Sequence, residues 1–235
     1  MNVLVGCEET QAVTIEMRSK GHEAYSCDLK ECSGGHPEWH IIADVVSVIS
    51  GGLFKLQNGE DVFIEKWDMF LFFPDCTFIT VSGLHWNTRI PGRAAKTDAA
   101  LLFVCRLWNL SRHIPKRVME NPIGCIPTRI IEDVNGNLIV IPKADKKSEY
   151  AFNPSQIIQP YNFGEDASKA TCLWIKGLPL LTSTGYCEPR IINGKKRWAN
   201  QTDSGQNKLG PSLTRAKDRA ATYKGIARAM AEQWG

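Results

Sequence analysis

The chain carries eight cysteines but no C-x-x-C pair. Zinc knuckles and ribbons are built on that spacing, so none is expected and no metal ligands are assigned. No apolar run approaches the ~20 residues that span a bilayer, which argues against a membrane partner. The amino terminus, MNVLVGCEET, lacks the basic start and long apolar stretch of a secretory signal. A cytoplasmic protein with reduced thiols is therefore expected. Neither G-x-G-x-x-G nor a Walker-type loop is present, so nothing reads as a phosphate cradle. Internal repeats and obvious linkers are also lacking. At 235 residues, 43% hydrophobic and 23% charged, the chain fits one well-filled domain spanning 1–235.

Net charge is only +3, but it is unevenly spread. The stretch 190–219 holds Arg190, Lys195, Lys196, Arg197, Lys208, Arg215, Lys217 and Arg219 against Asp203 and Asp218. Such a segment suits phosphate, and a solvated loop would look the same.

The pattern of elements points to an α/β fold. NVLV (2–5) is a short apolar strand ending at Gly6. A helix follows over roughly 9–20, with Val13, Ile15 and Met17 as its apolar positions, and Gly21 closes it. HEAYSC (22–27) reads as a second strand ending at Asp28. Ile41 and Ile42 lead to Asp44 as a third. This opening is half of a doubly wound nucleotide-binding sheet. Residues 68–73 form a continuous apolar run, as a parallel strand buried on both faces does. A helix is expected over 94–112, strands at 117–121 and 170–175, and a closing helix over roughly 212–233 with Ile226, Met230 and Trp234 on one face. Residues 51–61 read as a surface excursion and 182–211 as a long mobile loop. Asn135-Gly136, between two β-type runs, predicts a hairpin inserted at 129–141.

Ligands of parallel α/β sheets bind at the carboxyl ends of the strands. At those ends stand Gly6-Cys7-Glu8, Asp28, Asp44, Pro74-Asp75-Cys76 and Glu120-Asn121. Acids after the second and third strands suit ribose hydroxyls and an adenine amino group. With no phosphate cradle, a nucleoside without phosphates fits, and S-adenosyl-L-methionine is the common one. Read alone, Cys76 can be core packing or a nucleophile, and Asp28 and Asp44 can be turn formers. Lys169 can be an ordinary surface lysine. Trp174 reads as packing, and so does His85-Trp86, which follows the cysteine loop and has lining of the pocket as its alternative.

The order VGCEET, CDLK, Asp44, FPDCT, MENP resembles the motif order of cytosine-5 DNA methyltransferases. The downstream YNFGEDASKATCLWI and the closing TYKGIARAMAEQW are similar to later motifs of that family, and over nearly the whole length the chain resembles its short phage-encoded members. The resemblance implies a class I S-adenosylmethionine-dependent methyltransferase (Rossmann-like) domain: a mostly parallel twisted sheet, helices on both faces and a small hairpin insertion. It implies Cys76 as nucleophile and Glu120 as the acid gripping the pyrimidine, with Lys169 on a position the family gives to arginine. Asn121 and Thr171 would meet the substrate. Gly6, Cys7, Glu8, Asp28, Asp44 and Pro74 would line the cofactor pocket. The implied partner is nucleic acid, DNA first, with RNA or a free pyrimidine nucleotide as alternatives. In place of the family's separate target-recognition domain, this chain has only 129–141 and 182–211 to offer a substrate. Where the family has proline before the cysteine, this chain has Asp75, and a carboxylate there disfavours the thiolate. A non-catalytic phage protein binding cofactor or DNA is therefore the alternative from another class.

Overall fold

The computed structural model describes residues 1–142, 148–210 and 221–235. Short apolar runs and one-sided helices alternate from the start: β1 (Asn2–Gly6), α1 (Ala12–Ser19), β2 (Glu23–Asp28) and β3 (His40–Ile42). A hairpin of β4 (Gly52–Lys55) and β5 (Asp61–Ile64) precedes β6 (Met69–Phe72). Then come α2 (Val81–Leu84), α3 (Arg93–Leu110), β7 (Lys116–Pro122) and α4 (Ile126–Arg129). A second hairpin pairs β8 (Ile130–Glu132) with β9 (Leu138–Val140). After β10 (Gln156–Ile158) and β11 (Thr171–Lys176), a third pairs β12 (Arg190–Ile192) with β13 (Lys195–Arg197), and the helix Lys224–Trp234 closes the chain.

Seven strands form one sheet in the order β10-β11-β7-β6-β1-β2-β3. Pairings from β7 through β6 and β1 to β3 are parallel. β11 runs antiparallel to both β7 and β10, so β10 points the same way as the other five and β11 alone is reversed. The fold is α/β with a mostly parallel, mixed sheet, compatible with a Rossmann-like arrangement. From β1 the chain moves to β2 and β3 on one side, and from β6 to β7 on the other. The carboxyl ends of β1 and β6 thus flank the topological switch point, where doubly wound sheets hold their ligands.

Each face of the sheet has its own core. Val3, Val5, Met69, Leu71, Val118 and Leu173 lie beneath α1 and the C-terminal helix, packed on Val13, Met17, Ile226, Met230 and Trp234. Leu4, Phe70, Phe72, Met119 and Trp174 lie beneath α3, packed on Leu101, Val104 and Trp108. Trp174 is core, as expected. Each fully buried aliphatic or aromatic side chain contributes about 1.5–3 kcal/mol relative to exposure. In α1, Val13 and Met17, four apart, face the sheet while Ile15 is only half-buried.

Several boundaries differ from expectation. The segment read as a mobile loop, 182–211, contains the β12–β13 hairpin, because Asn193 and Gly194 both take left-handed conformations and close a two-residue turn. Residue 211 lies outside the described residues. The excursion at 51–61 is part of the β4–β5 hairpin. The closing helix begins at Lys224. The expected part from 212 to 220 lies outside the described residues, and Tyr223 is extended. Trp86, expected in packing, is 42% exposed. Among the described residues, no helix is long and apolar enough to cross a membrane.

Candidate active site

The turn carrying Cys76 is fixed from below. Past the end of β6, Phe73 N–H still donates to the Gly6 carbonyl at 3.0 Å. The Asn121 amide Nδ2 then donates to the Pro74 carbonyl at 2.9 Å. Beyond the cysteine, Ile79 N and Thr80 N donate to the Cys76 carbonyl at 3.2 and 3.1 Å. This first turn is stitched to the segment after β7: Cys125 N donates to Ile79 O at 2.9 Å, and Val81 N to Ile123 O at 3.2 Å. Gly124 permits the approach, since a Cβ there would fall 2.1 Å from the Ile79 carbonyl oxygen. The strand end bearing Cys76 and the strand end bearing Glu120-Asn121 are therefore one connected unit.

Electrostatics show which side chains share the space. The half-buried Cys76 thiol is held above its ordinary pKa, first by burial and then by the Glu120 carboxyl, while Lys169 pulls it down. Burial also raises Glu120, against Lys169 and a hydrogen bond from Thr171. Glu120 and Lys169 thus both act on Cys76, and Lys169 on Glu120, at the carboxyl edge. Thr171 joins them: its hydroxyl lies 3.1 Å from the Lys169 carbonyl. Lys169 itself is anchored through its backbone N–H, which donates to Gln159 Oε1 at 3.0 Å.

Asp75 does less to the thiol than its position in sequence suggests. Its Oδ1 accepts from Thr77 N at 2.9 Å and Thr77 Oγ1 at 2.6 Å, making a local Asx turn. Its effect on Cys76 is smaller than that of Glu120.

On the β1 side, Cys7 sits at φ 59°, a left-handed conformation that non-glycine residues rarely adopt. Burial pushes its thiol far up, and Asp28, Cys27, Asp44 and Asp75 all add to the effect. Carboxylates from three different strand ends therefore act on Cys7, and a field of that sign repels a polyphosphate. Asp28 uses Oδ1 on Lys30 N–H at 3.1 Å and Asp44 uses Oδ1 on Val46 N–H at 3.0 Å. Among the described residues each keeps a second oxygen for hydroxyl or amino donors, as a nucleoside would need. Gly6 is required by packing, for a Cβ would lie 2.7 Å from Val45 Cγ2 and 2.8 Å from the Phe70 ring.

Glu8 is a correction. It is 4% exposed, and its carboxylate accepts from Val13 N at 2.6 Å, Thr14 N at 3.2 Å and Thr14 Oγ1 at 2.7 Å. Both oxygens serve the first turn of α1, where backbone donors lack helical partners. The side chain fixes the β1–α1 turn rather than meeting a ligand. Burial raises its pKa to about 7 against the pull of those donors.

Sequence reasoning missed the buried Gln11, at φ 57°. Its Nε2 donates to Ser26 Oγ at 3.1 Å and to the His36 carbonyl at 2.9 Å, and its Oε1 accepts from His36 N at 3.1 Å. Ser26 continues the chain to His40 Nδ1 at 2.7 Å, and His40 Nε2 meets the Lys30 carbonyl at 2.8 Å. A carbonyl only accepts, so Nε2 carries a proton, and burial lowers the His40 pKa. This chain ties the β1–α1 turn to the loop after Asp28, and no spacing in the sequence announces it. Leu29, beside Asp28, is 75% exposed and offers an apolar surface at the same edge. A separate open cleft of about 370 Å³ lies among Phe163, Gly164, Thr184, Gly185, Gly225, Arg228 and Glu232, and no candidate residue lines it.

Compared with protein-family models and with curated proteins, the chain matches none.

Proposed function

We propose that this chain is a class I, S-adenosylmethionine-dependent methyltransferase that acts on carbon 5 of a pyrimidine, cytosine in DNA, through a covalent adduct with Cys76. One observation carries the reading: the turn bearing Cys76 is tied to the strand end bearing the half-buried Glu120, and Glu120 and Lys169 both act on the Cys76 thiol, at the carboxyl edge of a mostly parallel sheet. The negative field that Asp28, Asp44 and Asp75 place on Cys7 supports a sulfonium cofactor over a phosphorylated one.

Carbon 5 of cytosine is a weak nucleophile, and covalent catalysis divides the difficulty. The Cys76 thiolate forms a bond to carbon 6. The displaced electron pair moves through the ring to nitrogen 3, where Glu120, its pKa raised by burial, donates a proton. Lys169 favours the thiolate beforehand. When bound, S-adenosylmethionine supplies the methyl group as a sulfonium electrophile. After the new bond forms, the carbon 5 proton passes to solvent water, the electron pair it leaves expels the Cys76 sulfur, and the nitrogen 3 proton returns to Glu120, which restores the ring. A base drawn from a duplex must first be flipped out, which costs a few kcal/mol.

A second reading has its own support. Burial and two carboxylates hold Cys76 toward the thiol form, which suits a protein that binds cofactor or DNA without turnover. Fluorine at carbon 5 of cytosine blocks the last step and traps the adduct. An adduct with the native chain, absent in Cys76→Ala and slowed at least 10²-fold in Glu120→Gln, supports the enzyme. Cofactor binding with no adduct on duplex, single strand, RNA or mononucleotide supports the second reading instead.

A further inference from the structure

The β12–β13 hairpin stands beside the candidate site. Ser168, the residue before Lys169, exchanges two hydrogen bonds with Asn200: Ser168 N to Asn200 Oδ1 at 3.0 Å, and Asn200 Nδ2 to Ser168 O at 3.0 Å. Ala199 N donates to Asp166 Oδ1 at 2.7 Å. Trp198, at the root of the hairpin, is buried, stacks on Tyr161 with ring centroids 4.2 Å apart, and donates its indole N–H to the Cys187 carbonyl at 3.2 Å. The hairpin is thus a braced projection from the segment that carries Lys169.

Its charge is one-sided. From Arg190 to Thr202 there is no acid, against Arg190, Lys195, Lys196 and Arg197. Two of these cations are internal struts. Arg190 donates to the Gln201 carbonyl at 3.2 Å and pairs loosely with Asp203 at 3.8 Å. Arg197 donates to the carbonyls of Asp203 at 3.0 Å and Lys196 at 2.9 Å. Lys195 and Lys196, just past the Asn193-Gly194 turn, are exposed and make no ion pair among the described residues. A second acid-free stretch runs on the other flank of Cys76, from Thr77 to Thr97, with Arg89, Arg93 and Lys96 and the exposed Trp86.

We infer that the β12–β13 hairpin is a phosphodiester-binding arm, in which Lys195 and Lys196 hold a nucleic-acid backbone so that one base reaches the Cys76–Glu120–Lys169 edge. This rests on the methyl-transfer reading and names its substrate as a polymer rather than a free nucleotide. Exposed ammonium groups on a rigid turn neutralise phosphates and release counterions, so their contribution is read in the salt dependence of binding.

The test uses the full chain and a fluorescein-labelled 24-mer, as duplex DNA, as single-stranded DNA and as RNA of the same sequence, with dCMP alongside. Anisotropy is followed against KCl concentration for the native chain, Lys195→Gln/Lys196→Gln, and Lys55→Gln as a control far along the chain. Lys195→Gln/Lys196→Gln should weaken polymer binding about tenfold or more at low salt. It should also flatten the log–log salt slope by about 2 on duplex, leaving dCMP binding, the melting temperature and the Lys55→Gln curve unchanged. The polymer with the steepest slope is the backbone held. An unchanged slope, or an equal loss for dCMP, overturns the arm. An adduct on fluorinated nucleotide from a protein that binds no polymer overturns the arm and leaves methyl transfer standing. Lysine-dependent polymer binding without any adduct does the reverse.

Discussion

The Asn121 side-chain amide reaches 2.9 Å across to the Pro74 carbonyl, so the turn presenting Cys76 hangs from the neighbour of Glu120. Asn121 is 1% exposed, and its Oδ1 finds no partner within the described protein. The residue joins the turn bearing Cys76 to the strand bearing Glu120 mechanically.

Replacing Asn121 should show this. Asn121→Ala leaves the buried Pro74 carbonyl without its donor, at about 1–3 kcal/mol, partly offset because the orphan Oδ1 goes too. Asn121→Asp exchanges the donor for an acceptor facing that carbonyl and should be worse. Denaturant unfolding of the three proteins ranks them. If Asn121→Asp proves the more stable variant, the bond does not organise the turn.

Thiol reactivity tests the electrostatics at Cys76. Its raised pKa makes alkylation by iodoacetamide slow at pH 7–8 and faster as pH rises past the ordinary thiol range. Lys169→Gln should slow it at any given pH, since it removes the group that lowers the thiol pKa. Glu120→Gln should speed it, and Asp75→Asn should speed it less. Peptide mass spectrometry at Cys76 against time gives the order. A larger effect from Asp75→Asn than from Glu120→Gln would contradict the geometry.

Glu8 predicts a pH dependence of stability. Its folded pKa, about 7, lies above the ordinary 4.5, so the folded state binds the proton more tightly. The stability this gives is fully present below about pH 4.5 and is lost as pH rises to about 7. The difference amounts to about 3 kcal/mol at 1.36 kcal/mol per unit. Glu8→Gln cannot ionise, so the stability of the native chain relative to this variant should fall across that window. Urea titrations from pH 4 to pH 8 measure it, and a flat difference curve would remove the effect.

Gly6→Ala should cost about 1–3 kcal/mol by overpacking, because its methyl would meet Val45 and Phe70 inside contact distance. Adding Val45→Ala should recover part of the loss and no more, as the Phe70 ring stays. Full stability in Gly6→Ala alone would mean the two strands have room to part.

Much of the fold was legible because parallel strands buried on both faces leave unbroken apolar runs, as at Met69–Phe72, and because Asn135-Gly136 announces its own turn. The β4–β5 and β12–β13 hairpins were not. Their strands are short and half-exposed, and the glycines that close the turns dominate a reading by composition. The direction of β11 was hidden as well, since polarity is set by pairing with β7 and β10 rather than by residue type. The order of motifs placed Cys76 and Glu120 at neighbouring strand ends, and the β6–β7 pairing has the same adjacency. Glu8 did not join a ligand site, because a carboxylate next to a helix start has backbone donors closer to hand.

The reversed β11 also fixes an order of assembly. Residues 169–171 reach the carboxyl edge by preceding a strand, whereas Cys76 and Asn121 reach it by closing one. A nascent chain that has emerged only as far as residue 168 would therefore hold the Cys76 sulfur and the Glu120 carboxyl without the Lys169 ammonium group that acts on both. It would also leave the outer border of β7 unpaired, a template for any other extended chain nearby. Completing the charge balance of the pocket and sealing that border are then a single event in the life of the newly made protein.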